Sequence, residues 1–303
     1  MADSEPTPAL VRAPIESDAR APDLFSMAGA RLSAMERFNI AMVRRTFTSP
    51  TLDAIVRWCQ RVLGAGWIDV CTKNIRHAYG LERLENLPAI GSFVLVANHR
   101  SFFDLFVLSM LLLRAGLKQR ILYPVRSTFF YDNPLGVFVN AVMSFCSMYP
   151  PIFRDRKKAA LNYTALNEVV WFLTRRGLAA AMHPEGTRKK DDDPYSFLPA
   201  QSGVGRTIYQ ARVLVIPAFI NGLGNNLVTQ VGGNFTRKGR PVIAVFGAPI
   251  DFGDLLEGPA SGRTYRAIAE HTLKAIGALA EEEREIRAKL EGPKVIHSLR
   301  DSA

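Results

Sequence analysis

Residues 98–104 read Asn-His-Arg-Ser-Phe-Phe-Asp, and residues 183–188 read His-Pro-Glu-Gly-Thr-Arg. The first stretch sets an imidazole, His99, five positions ahead of a carboxylate, Asp104. With His99 in a loop and Asp104 in the first turn of a helix, the two side chains can meet. A carboxylate on one ring nitrogen fixes the tautomer and stabilises the cation that forms when the other nitrogen takes a proton. The pair is thus a candidate general base with its orienting partner. Asp104 also follows Ser101 by three, a capping-box spacing with Asp in place of Glu, so it can serve the helix start as well.

The second stretch offers different chemistry. Pro184 ends a strand, Gly186 lets the backbone approach a ligand, and Arg188 presents a planar fork suited to phosphate. Taken alone, Glu185 and Arg188 read better as a surface pair in a tight turn. The basic run Phe153 to Lys158 adds Arg154 and Arg156, while Asp191 to Asp193 lack calcium-loop spacing. Ser202 to Thr207, Ser-Gly-Val-Gly-Arg-Thr, lacks the Lys and first Gly of a phosphate-binding loop. There is no G-x-S-x-G elbow, so an acyl-serine intermediate is not indicated.

These residues need a scaffold, and the surrounding pattern supplies one. Apolar runs at 92–97, 121–125, 178–182, 213–220 and 241–247 read as strands. Helical segments are predicted between them at about 102–115, 160–175 and 203–212, and a long charged helix at 264–290 closes the series. The alternation predicts, over residues 76–303, an α/β domain with a mixed, largely parallel sheet flanked by helices. Ligands in such sheets sit outside the carboxyl ends of strands. Both motifs follow strands, so parallel strands would bring them to one edge and make them one site.

Upstream, residues 31–75 read as an amphipathic helical hairpin interrupted at Ser49–Pro50. Leu32, Met35, Phe38, Met42 and Val43 form the apolar face of the first block. Leu52, Ile55, Val56, Cys59, Val62, Leu63, Trp67 and Val70 form that of the second. The hairpin can pack on the core, or it can lie among lipid headgroups, where its arginines and aromatic residues both contribute; in the second case it should be separable from the domain. Residues 1–30 read as a disordered leader without the basic and apolar regions of a secretory signal. No spanning helix is predicted: Leu105 to Leu113 is too short, and Leu135 to Phe153 is broken by Gly136, Asn140 and Pro150–Pro151.

Composition narrows the partners. Of 303 residues 48% are hydrophobic, enough for a large core, and 38 Lys and Arg against 28 Asp and Glu give 38 − 28 = +10. That balance favours a phosphate substrate, an anionic lipid surface or nucleic acid, and no recognition motif supports the last. Three cysteines without a C-x-x-C suggest neither a disulfide framework nor a metal site, and fit a reduced cytoplasmic setting.

Together the blocks resemble the glycerolipid acyltransferases that acylate glycerol 3-phosphate and lysophosphatidic acid. Asn98, His99 and Asp104 match N-H-x-x-x-x-D, Ile152 to Arg156 match a basic block ending in Arg, Pro184 to Arg188 match P-E-G-T-R, and Val213 to Ile220 match a strand broken by proline. The blocks occur in family order across roughly Leu81 to Ile250, and Gly80 to Pro88 is similar to the family's lead-in. Two positions depart: His183 stands where Phe is usual and Gln201 where Lys is common. Both are expected to lie away from the catalytic pair.

The resemblance implies transfer of a fatty acyl group from acyl-CoA or acyl-carrier protein, used as co-substrate with no bound cofactor, to a lysophospholipid hydroxyl. The leading acceptor is 1-acylglycerol 3-phosphate, giving phosphatidic acid. Glycerol 3-phosphate, another lyso-lipid, or a non-catalytic lipid-surface role are the alternatives. It further implies His99 as general base oriented by Asp104, Arg156 and Arg188 on the acceptor phosphate, and Glu185, Gly186 and Thr187 around the acceptor. The expected setting is peripheral, on an anionic membrane surface at its cytoplasmic face.

Overall fold

Val, Ile, Ala and Phe dominate the stretches that pair into the central sheet of the computed structural model, which describes Pro22, Leu24 and residues 31–84 and 87–291. Its strands are β1 (Arg76–Tyr79), β2 (Phe93–Ala97), β3 (Ile121–Leu122), β6 (Ala179–Met182), β7 (Leu214–Asn221) and β8 (Val242–Phe246), in the order β1-β8-β7-β2-β6-β3. All neighbours are parallel except β7 and β8. A two-stranded parallel ribbon, β4 (Val125–Arg126) with β5 (Pro151–Ile152), lies apart. The run 121–125 is therefore two short strands, split where Pro124 cannot donate to a ladder.

Side chains of β2 divide cleanly. Val94 and Val96 enter one apolar cluster, and Phe93, Leu95 and Ala97 enter the other, as a period of two requires. The first cluster is covered by α6 (Leu161–Arg175), α7 (Ser202–Ala211) and α9 (Gly262–Glu291), and the second by α4 (Asp104–Arg114). Every residue of α4 from Asp104 to Leu113 is buried, which explains an apolar run too short to cross a membrane. The mixed, mostly parallel sheet flanked by helices is the architecture expected. Among the described residues no helix is long and apolar enough to span a membrane.

The upstream segment differs from the expected hairpin. Its helices are α1 (Ala34–Thr48), α2 (Pro50–Cys59) and α3 (Ala65–Thr72), with a π-helical turn at Gln60–Gly64 dividing the second block. Helix α1 buries Ile40, Val43 and Phe47 in the first core cluster, while Met35, Phe38 and Met42 point outward. The face assigned from spacing is thus turned by roughly a third of the helix, because Glu36 and Asn39 go inward with polar partners. Glu36 accepts from Lys158 Nζ at 2.6 and 2.8 Å, and Asn39 Nδ2 donates to the Tyr131 carbonyl at 2.9 Å. Trp67, on the apolar face read from spacing, packs against the second cluster.

A buried arginine fastens these helices to the domain. Arg120, fully buried, donates to the Thr46 carbonyl at 2.7 Å, Thr46 Oγ1 at 2.9 Å, Asp53 Oδ1 at 3.2 Å and the Cys146 carbonyl at 3.2 Å. Its guanidinium lies 3.6 Å from the centre of the Phe47 ring. A charge this deep is tolerable only with its donors satisfied, so α1 and α2 are part of the fold. Most of the expected leader lies outside the described residues, but Leu24 is buried and the Pro22 carbonyl accepts from Arg44 at 3.2 Å. Strands β1 and β5 and helices α5 (Pro134–Ser144) and α8 (Leu227–Thr236) escaped the sequence pattern.

Candidate active site

Strands β2, β6 and β7 run parallel, so the loops after them meet at one edge, and those loops carry Asn98–Asp104, His183–Arg188 and Gly222–Asn226. Asn98 opens the first loop buried, with its amide donating to and accepting from Ile220 at 2.9 Å. This replaces a ladder pair by a side chain and frees the backbone to turn.

The next residue is His99. Its Nδ1 lies 3.4 Å from Asp104 Oδ2, and its side chain is 19% exposed. The same carboxylate oxygen accepts from the Arg100 and Ser101 backbone N–H groups, both at 2.7 Å. Asp104 therefore holds the loop and faces the imidazole together, and the two roles considered from sequence coexist. Burial pushes the Asp104 carboxyl up to about 6, against the pull of His183, the two loop amides and Arg188. Burial and, to a lesser degree, the Arg188 charge together lower His99 to about 3, against a backbone hydrogen bond with Ser101. A neutral imidazole with Nδ1 turned to Asp104 is in a form that can take a proton on Nε2.

The third block holds the first. Glu185 is buried and accepts from the His99 backbone N–H at 2.9 Å and from the Leu198 N–H at 2.8 Å, while the Lys189 N–H donates to the His99 carbonyl at 3.1 Å. The Glu185 carboxylate is thus spent on backbone amides beneath the loop. Gly186 turns the chain at φ +66, where a Cβ would stand 2.9 Å from Gln201 Cγ. Thr187 is exposed, and Arg188 reaches Asn225 Oδ1 at 2.8 Å.

Above these loops opens a cleft of about 680 Å³ reaching Asp104, with Arg100, Arg188, Lys189, Lys190 and Arg240 in its walls. Arg100 and Lys189 are engaged by Asp191, at 2.6 and 2.8 Å. The triple aspartate is therefore a loop clamped to the first block. Among the described residues no ion pair is recorded for Arg188, Lys190 or Arg240, which leaves them for an anionic ligand.

The basic second block meets the site through a residue other than the one expected. Arg154 Nη2 donates to the Gly186 carbonyl at 3.2 Å, whereas Arg156 is exposed with no side-chain partner recorded among the described residues. The structure does not bring Arg156 to the His99 pair. Asn225 was not foreseen: its Oδ1 accepts from both Arg188 Nη1 and the Phe102 N–H, the latter at 3.1 Å, tying the phosphate-type arginine to the histidine loop. A lone Asn in a Gly-Asn-Asn turn gives no sequence signal of this.

The largest correction concerns His183. Expected to lie away from the catalytic pair, its ring lies flat on His99, centroids 3.6 Å apart at 7°. The other departure, Gln201, sits behind Gly186 instead, its N–H on the Pro184 carbonyl at 2.8 Å. His99, Asp104 and His183 offer ligand atoms within 4.8 Å of one another. A metal must lie in the plane of each imidazole that binds it, and two rings stacked at 7° and 3.6 Å share no plane in which it could meet both. The cluster is not arranged as a metal centre.

Residues 80–221 match the family model described as Acyltransferase. Among curated proteins no sequence matches the chain. Among solved structures, the crystal structure of the 1-acyl-sn-glycerophosphate acyltransferase PlsC of Thermotoga maritima is similar, at 18% identity and a TM-score of 0.46, over 82% of this chain and 98% of that one. The family match runs from Gly80 to Asn221, the end of β7, and so takes in all four blocks: over that stretch the chain is similar to the acyltransferase family.

Proposed function

We propose that the protein transfers a fatty acyl group from acyl-CoA or acyl-carrier protein to the free hydroxyl of a lysophospholipid, with 1-acylglycerol 3-phosphate the favoured acceptor. The observation that carries this reading is the His99–Asp104 contact at the foot of a cleft whose walls hold Arg188, Lys190 and Arg240. His99 Nε2 takes the hydroxyl proton as the acceptor oxygen forms its bond to the thioester carbon. The C–S bond then breaks, and the proton passes from His99 to the departing thiolate. Proton removal by a placed base is worth about 10²- to 10⁴-fold, and Asp104 stabilises the imidazolium. Arg188, set by Asn225, holds the acceptor phosphate, which turns encounter into positioning. Arg154, beside Gly186, replaces Arg156 as the second-block residue nearest this task.

The same reading places the protein peripherally on an anionic membrane, at the cytoplasmic face. On α1 Phe38 (69% exposed), Met35 and Met42 face outward, and α5 exposes Leu135, Phe138 (64%) and Val142. Apolar area of that kind on a chain of net charge +10 suits a headgroup layer. The test is purified protein with lysophospholipids of several headgroups and glycerol 3-phosphate, each against acyl-CoA and acyl-carrier protein, with products read by mass spectrometry. Phosphatidic acid from 1-acylglycerol 3-phosphate is expected. Binding to vesicles with no product from any pair would leave only a lipid-surface role.

A further inference from the structure

The His99 imidazole has few constraints of its own. Its contact with Asp104 is 3.4 Å, longer than a strong charge-assisted hydrogen bond, and the Asp104 oxygen concerned already serves two backbone N–H groups at 2.7 Å. Rotation about the bond to the ring would carry Nε2 away from the acceptor hydroxyl. Something else must hold the plane.

His183 is placed to do so. Val96 pairs with Met182 in the parallel ladder, so Ala97 and His183 follow side by side at the strand ends. There His183 Nδ1 lies 3.0 Å from the Ala97 carbonyl. A carbonyl only accepts, so Nδ1 carries the hydrogen and the ring is fixed by the sheet itself. From that anchorage its face covers the His99 ring at 3.6 Å and 7°. Burial, with His99 beside it, lowers His183 to about 3 against the pull of Asp104 and the backbone, so it stays neutral beside the imidazole it covers.

We propose that His183 is a positioning residue for acyl transfer: anchored on Ala97, its ring fixes the plane of His99 so that Nδ1 stays on Asp104 and Nε2 faces the acceptor hydroxyl. The proposal rests on His99 acting as the base. What it requires of residue 183 is a flat face against His99, which the Ala97 contact helps to hold. A bulky group without that face fills the space but lets the imidazole turn, and misplacement of a reacting group on the ångström scale costs up to about 100-fold in rate.

The experiment compares His183→Phe, His183→Leu and His183→Gln with wild type in full-length protein, using 1-acylglycerol 3-phosphate and an acyl-CoA, with melting temperature as a folding check. The Leu and Gln variants are expected to lose roughly 10- to 100-fold in kcat with acceptor KM within about two-fold, and Phe to recover at least about five-fold over Leu. Nitrogen-15 spectra of the His99 ring give a readout independent of turnover: a single Nδ1–H tautomer in wild type and Phe, and a mixture of tautomers in Leu and Gln. Equal kcat in all variants, or Gln matching Phe, overturns the proposal. So does an unchanged single tautomer in Leu. A wild type that acylates none of the acceptors overturns the base assignment instead, and the tautomer comparison still decides the role of His183.

Discussion

The Glu185 carboxylate accepts a 2.9 Å hydrogen bond from the backbone N–H of His99 while its other oxygen takes the Leu198 N–H, so a residue of the third block sets the position of the first. Both oxygens face donors. Glu185→Gln replaces one acceptor by an NH₂ group and leaves a backbone N–H unpaired. It should cost about 1–3 kcal/mol of stability, read by chemical denaturation, and should lower kcat. Unchanged stability and turnover would show that Glu185 does not hold the loop.

Arg188 is expected to govern the acceptor. Arg188→Lys keeps the charge but loses the bidentate fork and the Asn225 contact, so acceptor KM should rise about tenfold or more while donor KM changes little. Asn225→Ala should repeat part of this without touching charge. Equal effects on both substrates would remove the dedicated phosphate site.

The buried pair and its neighbour make stability depend on pH in a defined direction. His99 and His183, lowered to about 3, stay neutral in the fold between about pH 3 and 6.5, while the unfolded chain binds protons there. Their contribution is present above about 6.5 and lost as pH falls toward 3. Asp104, raised to about 6, acts oppositely: between about 4 and 6 the folded state holds the extra proton, so its contribution declines as pH rises through that window. Two imidazoles outweigh one carboxyl, so His99→Phe combined with His183→Phe should flatten the acid side of a stability–pH curve. A curve of unchanged slope would contradict the shifts.

The α1 and α5 surface can be separated from the core by substitution. Phe38→Ser with Phe138→Ser should leave melting temperature nearly unchanged, since both rings are mostly exposed, yet weaken binding to anionic vesicles by roughly tenfold per ring. Phe47→Ala should instead cost about 3–5 kcal/mol, and a chain starting at residue 76 should not fold, because Arg120 would lose Thr46 and Asp53. A stable truncated chain would contradict that reading of Arg120.

Much of this was legible in the residues. The strands at 93–97, 179–182 and 214–221 announced themselves as β-branched or small apolar runs, and their parallel pairing brought His99, Asp104 and Arg188 together as motif order implied. What could not be read depended on partners distant in sequence. Helix α1 turned its polar Glu36 and Asn39 inward because Lys158 and the Tyr131 carbonyl wait for them, and spacing alone assigns apolar residues to the core. Arg154 displaced Arg156 at the site through a single carbonyl contact. His183 looked like a neutral departure until the β2–β6 register set it over His99.

His99→Ala, assayed for phosphatidic acid formed from 1-acylglycerol 3-phosphate and acyl-CoA alongside a thermal melt, bears most directly on the mechanism. Loss of at least about 10²-fold in turnover with a melting temperature close to wild type is expected, because the loop is held through the His99 backbone and through Asp104 rather than through the ring. A folded His99→Ala protein that forms product at nearly the wild-type rate would contradict the assignment of His99 as the base.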